Sequence, residues 1–262
     1  MPCSMEGKRG LIMGVANDKS LAWGIAKACA AAGAELAFTY QGEAFGKRLQ
    51  PLADSVGAKH LYDVDVTDED SLDKAFTAIE NDWGKLDFLV HAIAYSDKGE
   101  LNGRFSDTTR ANFRNSLTIS CYSLIDVARR ARPLMADGGS IITLTFLGAQ
   151  RVTPNYNVMG VAKAALETSV RYLAHDLGPD GIRVNALSPG PMRTISGAAI
   201  GDARKTYKHA EENAPLQANA SLDAVGQAGL YLLSDMASST TGDILYVDGG
   251  YHVMGMPRPD RL

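Results

Sequence analysis

The sequence is poor in cysteine, with three residues among 262, at Cys3, Cys29 and Cys121. These cysteines are odd in number, widely separated and without CxxC spacing, so we expect reduced thiols rather than a disulfide framework or a thiolate metal site. The five histidines show no ligand spacing either. The sequence therefore predicts no metal.

Long hydrophobic runs and clusters of basic residues are also missing. The chain has no stretch of about eighteen apolar residues, and its start, MPCSMEGKRG, lacks the apolar core of a signal peptide. A net charge of −4 without a basic run provides no electrostatic surface for nucleic acid or for an anionic membrane. We expect a cytoplasmic protein that binds neither.

Strands and helices alternate along the chain, and no low-complexity tract marks a linker. Three of the helical stretches end at glycines suited to a helix C-cap, namely Gly33, Gly84 and Gly178. Short apolar runs typical of buried parallel strands lie at 10–15, 35–40, 60–64, 88–92, 140–145, 183–187 and 244–247. This order predicts the α/β class: one domain over residues 1–262, with a Rossmann-type, doubly wound, seven-stranded parallel sheet and helices on both faces.

In such a fold ligands bind beyond the carboxyl ends of the strands, which draws attention to LIMGVANDKSLAWG at 11–24. Most glycines of a dinucleotide-binding loop are absent. Gly14 ends the first strand, Ser20 is a candidate N-cap, and Gly24 would allow a close approach to the sheet. A pyrophosphate would meet the positive end of the helix dipole here. By itself, however, the stretch fits a plain strand and helix equally well.

Residues at the carboxyl ends of the next strands indicate a dinucleotide cofactor. Asp65 follows the third strand and could accept a hydrogen bond from adenine, while HAIA at 91–94 could run beneath the adenosine ribose. After the second strand, a neutral Gln41 followed by Glu43 favours NADH over NADPH. The nearby basic pair at 47–48 leaves NADPH as the alternative.

Tyr156 and Lys163 carry the strongest chemical signal, in NYNVMGVAK. Seven residues correspond to nearly two helical turns, so both side chains would line one wall with an axial rise of roughly 10 Å. The lysine charge would favour the ionised form of a nearby phenol and tune it as a proton donor. Outside a Rossmann-type fold, such a pair is more often a packing residue and a surface residue.

From Gly7 to about His252 the chain resembles the short-chain dehydrogenase/reductase superfamily, with NALSPG at 185–190 and YVDGG at 246–250. Ordinary members pair a Tyr and a Lys four residues apart, but here that position is Met159. The spacing Tyr-x6-Lys, together with GVANDKSLAWGIA, ELAFTYQ, PNYNVMGVAKA and GPMRT, is similar to the bacterial enoyl-acyl-carrier-protein reductases.

The resemblance implies that NADH delivers hydride to the β-carbon of a trans-2-enoyl thioester on acyl carrier protein. Tyr156 would hydrogen-bond the thioester oxygen and Lys163 the nicotinamide ribose. The implied cofactor contacts are Gly14, Ser20, Leu21, Gln41, Asp65, Val66, Ile93, Lys163, Met192, Arg193, Thr194, Ile195 and Ser196. The implied substrate contacts are Ser96, Phe146, Tyr156 and Met159.

At three positions this sequence has a different residue from many relatives. Phe146 replaces a second tyrosine, so it is interpreted as an apolar wall, and the proton is left to Tyr156 or to a water that it orients. Ala94 and Tyr95 stand where many relatives have Gly and Phe, which affects the expected chain-length preference.

The segment 192–216 is long for a plain connection, and we expect it to act as a lid over cofactor and substrate, with a simple surface helix as the alternative. Its basic residues Arg204, Lys205 and Lys208 fit contact with an acidic carrier protein and a solvated helix face equally well.

The resemblance further implies a homotetramer formed through the long helices after the fourth and fifth strands and through the C-terminal strand. Two other functions compete: a ketone or alcohol oxidoreductase of the same superfamily, and a dinucleotide-binding sensor or scaffold without catalysis. Met159 argues against the first, and the intact pair of Tyr156 and Lys163 argues against the second.

Overall fold

The structure, a computed structural model, describes residues 3–194, 201–258 and 260. Its sheet contains seven parallel strands in the order β3-β2-β1-β4-β5-β6-β7, which confirms the predicted fold class. The strands are β1 Arg9–Met13, β2 Glu35–Tyr40, β3 His60–Asp63, β4 Phe88–His91, β5 Gly139–Leu144, β6 Ile182–Pro189 and β7 Ile244–Val247.

The helices form two layers, one on each face of the sheet. Neighbouring strand residues point to opposite faces, so Leu11 lies in one buried cluster and Ile12 in the other. Helices α3, α5 and α6 pack on the first face, and α1, α2 and α8 pack on the second. The helices are α1 Leu21–Ala31, α2 Glu43–Ser55, α3 Glu69–Trp83, α4 Arg110–Leu117, α5 Ser123–Ala131, α6 Asn157–Leu177, α7 Ala203–Asn213 and α8 Leu222–Leu233.

The close approach expected at Gly24 is made to a helix and not to the sheet, so that part of the prediction is wrong. A Cβ atom on Gly24 would lie 2.8 Å from the carbonyl oxygen of Leu222, at the start of α8. A Cβ atom on Gly226 would lie 2.4 Å from the carbonyl oxygen of Gly24. The two glycines therefore let α1 and α8 cross backbone to backbone.

Two of the three predicted glycine caps have the left-handed backbone. Gly84 ends α3 with φ of 69°, and Gly33 follows α1 with φ of 100°. Gly178 does not fit the prediction, because it keeps right-handed helical angles and the chain turns at Gly181 instead.

A π-helical turn at Thr118–Tyr122 separates α4 from α5. Such turns insert one extra residue per turn and are frequent at functional sites. Here the turn brings Ser120 to the segment after β4, where its hydroxyl bonds the backbone of Tyr95 at N and O over 2.9 and 3.0 Å.

Among the described residues, no helix combines the length and apolar character that crossing a bilayer requires.

Candidate active site

The strand order reverses between β1 and β4, and the carboxyl ends of these strands border a crevice suited to a ligand. Gly14, just after β1, has φ of 95°, and a Cβ atom there would lie 2.1 Å from the carbonyl oxygen of Ala92. Only a glycine lets the two strand ends come this close. The absence of a side chain leaves the backbone at Gly14 accessible, and its contact with a pyrophosphate stays a prediction.

Ser20 occupies the N-cap position of α1, but its hydroxyl makes no cap hydrogen bond. It instead accepts hydrogen bonds from the backbone amides of Ala16 and Asn17 over 3.0 and 3.1 Å. The side chain thus fixes the loop between β1 and α1. Leu21 begins α1, whose positive dipole end faces the same loop. This arrangement fits an anionic cofactor.

On the adenosine side, the structure joins Gln41 and Asp65, which follow neighbouring strands. Gln41 Nε2 donates to Asp65 Oδ2 over 2.9 Å, and Thr67 donates to Asp65 Oδ1 from both its hydroxyl and its backbone amide. The Thr67 hydroxyl, followed by the other hydrogen bonds and opposed by partial burial, lowers the pKa of Asp65. Val66, next to Asp65, and Ile93, after β4, are partly buried and pack against the same core cluster.

Tyr156 stands at the N-cap of α6, between two asparagines with left-handed backbone, Asn155 at φ of 61° and Asn157 at 33°. Asn157 Nδ2 donates to the carbonyl oxygen of Glu100 over 3.2 Å and to that of Gly103 over 3.4 Å. These bonds fasten the start of α6 to the segment 97–104. Sequence reasoning missed Asn157, although asparagine is among the residues that tolerate a positive φ.

The ring of Tyr156 belongs to a small buried cluster with Leu101 and Met159, and Phe146 packs against it. Phe146 meets Tyr156 edge to face, with 5.2 Å between ring centroids. The structure therefore brings together three predicted substrate residues, Phe146, Tyr156 and Met159. It adds Leu101, which in the sequence is only a leucine in a polar loop and carries no other signal.

Burial, followed by the negative charge of Glu167, raises the pKa of Tyr156 above its ordinary value. The net shift of the Tyr156 pKa is therefore opposite to the one expected from the charge of Lys163. A protonated phenol is the form that donates a hydrogen bond to an oxygen acceptor.

Lys163 is buried on α6 and donates from Nζ to the carbonyl oxygen of Leu144, at the end of β5, over 2.7 Å. Burial lowers its pKa to about 8. His91 lies near this amine, and burial, followed by the charge of Lys163, lowers its pKa to about 3. Its ring nitrogens lie 3.0 Å from Thr143 Oγ1 and 2.8 Å from Ser123 Oγ. His91 is therefore a neutral core residue rather than an acid–base group.

Ser96 lies in the segment after β4. Its hydroxyl accepts from Ser116 Oγ over 2.9 Å and lies 3.3 Å from Asn112 Oδ1, so α4 holds this segment in place. The structure thus gives the predicted acyl contact a fixed backbone.

The predicted lid is described in part. Met192 packs partly buried against the core, and the guanidinium of Arg193 lies 4.7 Å from the ring centroid of Tyr207 on α7. Thr194 donates its backbone amide to the carbonyl oxygen of Met192 over 3.0 Å. Ile195 and Ser196 lie outside the described residues. A cleft of about 450 Å³ separates α7 from the segment 146–155.

The basic residues of α7 are partly neutralised within the helix. Lys205 pairs with Asp202 at 3.0 Å and Lys208 with Glu212 at 3.6 Å, and all four side chains face solvent to some degree. The C-terminal segment contacts this helix through the backbone amide of Arg258, which donates to Asn213 Oδ1 over 2.9 Å. Over residues 3–194, 201–258 and 260, no group of three or more His, Cys, Asp or Glu side chains could hold a metal ion.

Comparisons with known proteins identify the family of this chain. A family model described as Enoyl-(Acyl carrier protein) reductase matches residues 14–252. A curated relative from Rhizobium meliloti, enoyl-acyl-carrier-protein reductase (NADH) 2, is 57% identical over 258 residues, covering 98% of this chain and 96% of the relative.

Two solved structures are similar over almost the whole chain. The enoyl-acyl-carrier-protein reductase of Anaplasma phagocytophilum in complex with NAD is 56% identical, covers 97% of each chain and has a TM-score of 0.94. FabI from Candidatus Liberibacter asiaticus is 50% identical, covers 98% of this chain and 100% of its own, and has a TM-score of 0.96.

Proposed function

This chain belongs to the enoyl-acyl-carrier-protein reductase family and is an NADH-dependent oxidoreductase of fatty-acid synthesis, and we propose that Tyr156 and Lys163 are its catalytic pair. One observation carries this assignment: Tyr156 is buried at the N-cap of α6 and Lys163 is buried two turns later, where it bonds the carboxyl end of β5.

NADH, when bound, supplies the hydride that reaches the β-carbon of a trans-2-enoyl thioester on acyl carrier protein. The Tyr156 hydroxyl donates a hydrogen bond to the thioester oxygen, where negative charge collects as the enolate forms. A contact that strengthens as charge develops stabilises the transition state more than the bound substrate. The raised pKa of Tyr156 keeps the proton on this donor.

Lys163 binds the hydroxyls of the nicotinamide ribose and fixes the cofactor beside the substrate. Phe146 and Met159 contribute an apolar wall for the acyl chain, and Ser96 offers a backbone contact to the acyl group. Because Phe146 has no hydroxyl, the proton comes from Tyr156 or from a water that it orients.

The remaining cofactor contacts follow the strand ends. Gly14, Ser20 and Leu21 lie against the pyrophosphate, Gln41 on the adenosine side, Asp65 and Val66 at the adenine, and Ile93 at the ribose. The lid expected over residues 192–216 would cover the nicotinamide and phosphates; Met192, Arg193 and Thr194 are its described residues proposed to contact the cofactor, and the predicted contacts Ile195 and Ser196 lie outside the described residues. The cleft beside α7 supports this placement of the lid.

We further propose that the protein is a homotetramer and acts in the cytoplasm. Two surfaces support the assembly: Tyr122 and Ile125, around α5, are 50% and 37% exposed, and Tyr172 on α6 is 74% exposed. Large apolar side chains exposed on the long helices suit burial between subunits. The free cysteines Cys3, Cys29 and Cys121 fit a reducing compartment.

The deciding experiment follows NADH oxidation by absorbance with a trans-2-enoyl thioester and, separately, with a 3-ketoacyl thioester, each repeated with NADPH. We expect oxidation of NADH with the enoyl substrate alone. Turnover of the ketone alone would establish a ketone reductase, and no turnover in any of the four reactions would favour a non-catalytic binding protein. Mass measurement by light scattering tests the tetramer.

A further inference from the structure

Glu167 is a charged side chain in the interior of the protein, 5% exposed on α6. It lies one helical turn after Lys163, on the same face of the helix. Burying a carboxylate is costly unless hydrogen bonds or opposite charges compensate. Glu167 has such compensation, since Oε1 accepts from Thr145 Oγ1 over 2.8 Å and Oε2 accepts from Gln150 Nε2 over 3.1 Å.

The two donors stand at the two ends of the turn that carries Phe146. Thr145 directly precedes Phe146, and Gln150 ends the short helical turn that follows it. One carboxylate therefore holds both ends of the segment 145–150 against α6.

This segment packs directly on the catalytic tyrosine. A Cβ atom on Gly148 would lie 2.5 Å from Cδ1 of Tyr156, and a Cβ atom on Gly160 would lie 2.9 Å from the carbonyl oxygen of Gly148. A small movement of the segment would therefore displace both the Tyr156 ring and the Phe146 wall.

Glu167 also acts on Lys163 through its charge. The titratable groups that face Lys163 are Cys121 from the π-helical turn, His91 from β4 and Glu167 from α6 itself. Burial lowers the pKa of Lys163, whereas the charges of Cys121 and Glu167 raise it. The effect of Cys121 is the larger of the two, and Glu167, one helical turn from Lys163, is the carboxylate that supports its ammonium form.

We propose that Glu167 is a positioning residue of the enoyl reduction: its carboxylate holds the segment 145–150 against Tyr156 and keeps Lys163 charged for the cofactor ribose. The inference rests on the proposed roles of Tyr156 and Lys163, and it assigns to Glu167 no contact with cofactor or substrate. It predicts two separable effects, one on the geometry of the segment and one on the charge of Lys163.

The test compares wild type with Glu167→Gln, measuring kcat and KM for a trans-2-enoyl thioester, NADH affinity by fluorescence from pH 6.5 to 10, and Tm. Displacement of catalytic groups should lower kcat/KM roughly tenfold to a hundredfold. Without the carboxylate, Lys163 should lose its proton at lower pH, so the pH at which NADH affinity falls by half should move down by about 0.5 or more.

Two further variants separate position from charge. Thr145→Val removes one hydrogen bond from the segment and keeps the carboxylate, so kcat/KM should fall while the NADH midpoint stays at the wild-type pH. Asp126→Asn removes another buried carboxylate, which pairs with Arg129 and Arg130 on α5, and should lower Tm without moving the midpoint.

A midpoint of Glu167→Gln equal to that of wild type, or a loss confined to Tm, would overturn the proposal. If Glu167→Gln fails to fold, Thr145→Val becomes the test of the positioning effect. An unchanged kcat/KM in Thr145→Val would then overturn that effect. Failure of the wild-type protein to reduce any enoyl thioester would refute the proposed function instead, and the NADH midpoints would still report on Glu167.

Discussion

Gly14 and the carbonyl oxygen of Ala92 are so close that a Cβ atom on Gly14 would lie 2.1 Å from that oxygen. Gly14→Ala should therefore force the ends of β1 and β4 apart and displace the loop proposed to hold the pyrophosphate. We expect NADH affinity to fall at least about tenfold, since even modest displacement of binding groups is costly. Fluorescence titration with NADH measures the loss.

Gly57→Ala is the matched control for this substitution. Gly57 also has a positive φ, 70°, but among the described residues no heavy atom beyond Gly57 and its two chain neighbours lies within 4 Å of a Cβ placed there. Gly57→Ala should show the left-handed backbone cost of about 1–2 kcal/mol without a change in NADH affinity. Equal NADH affinities for the two variants would contradict the role of Gly14.

Tyr156→Phe should lower kcat about a hundredfold, the usual effect of removing one donor to a developing oxyanion. Because the ring stays in its buried cluster, NADH affinity and Tm should change little. Tyr172→Phe, on an exposed position of the same helix, should leave kcat unchanged. A Tyr156→Phe enzyme as fast as wild type would remove Tyr156 from the reaction.

NADH affinity should decrease as pH rises through about 8, because burial lowers the pKa of Lys163 to about 8. Below that pH the amine is charged and can bind the ribose hydroxyls as a cationic donor, and above it the charge is lost. Fluorescence titrations at successive pH values measure this dependence. Lys163→Met should bind NADH weakly and with no midpoint near this pH, and a retained midpoint would assign the titration to another group.

Gly226→Ala should destabilise the protein by about 1–3 kcal/mol, the typical cost of overpacking. The new methyl group would lie 2.4 Å from the carbonyl oxygen of Gly24, where α1 and α8 cross. Gly178→Ala is the control, because Gly178 has helical angles and, apart from the adjoining chain, no heavy atom of the described residues lies within 4 Å of its Cβ position. Urea denaturation compares the two variants, and a Gly226→Ala protein as stable as the control would refute the crossing.

The strands could be predicted because parallel strands buried on both faces are continuous apolar runs, as in β5, where Ile141 and Ile142 point to opposite layers. The Tyr156–Lys163 spacing was equally readable, since the helical repeat alone puts both side chains on one wall. The identity of the reaction came from the resemblance, not from the repeat.

Long-range contacts could not be predicted from local sequence patterns. The contact between Gly24 and Gly226 joins residues two hundred positions apart, and the π-helical turn has no simple sequence signal. A buried glutamate such as Glu167 looks in the sequence like any surface acid of a helix, because burial of its partners Thr145 and Gln150 is decided by the packed fold. The raised pKa of Tyr156 could not be predicted from the sequence for the same reason, because it depends on burial in the packed fold.

The bonds from Asn157 to the carbonyl oxygens of Glu100 and Gly103 tie the proposed acyl pocket and the proposed catalytic tyrosine to one support. The segment 97–104 carries Leu101 of the apolar cluster, and the same segment fastens the start of α6, where Tyr156 stands. Loop exchange between relatives at 97–104, made to alter the preferred acyl length, will therefore also change the rate unless the two carbonyl acceptors are preserved.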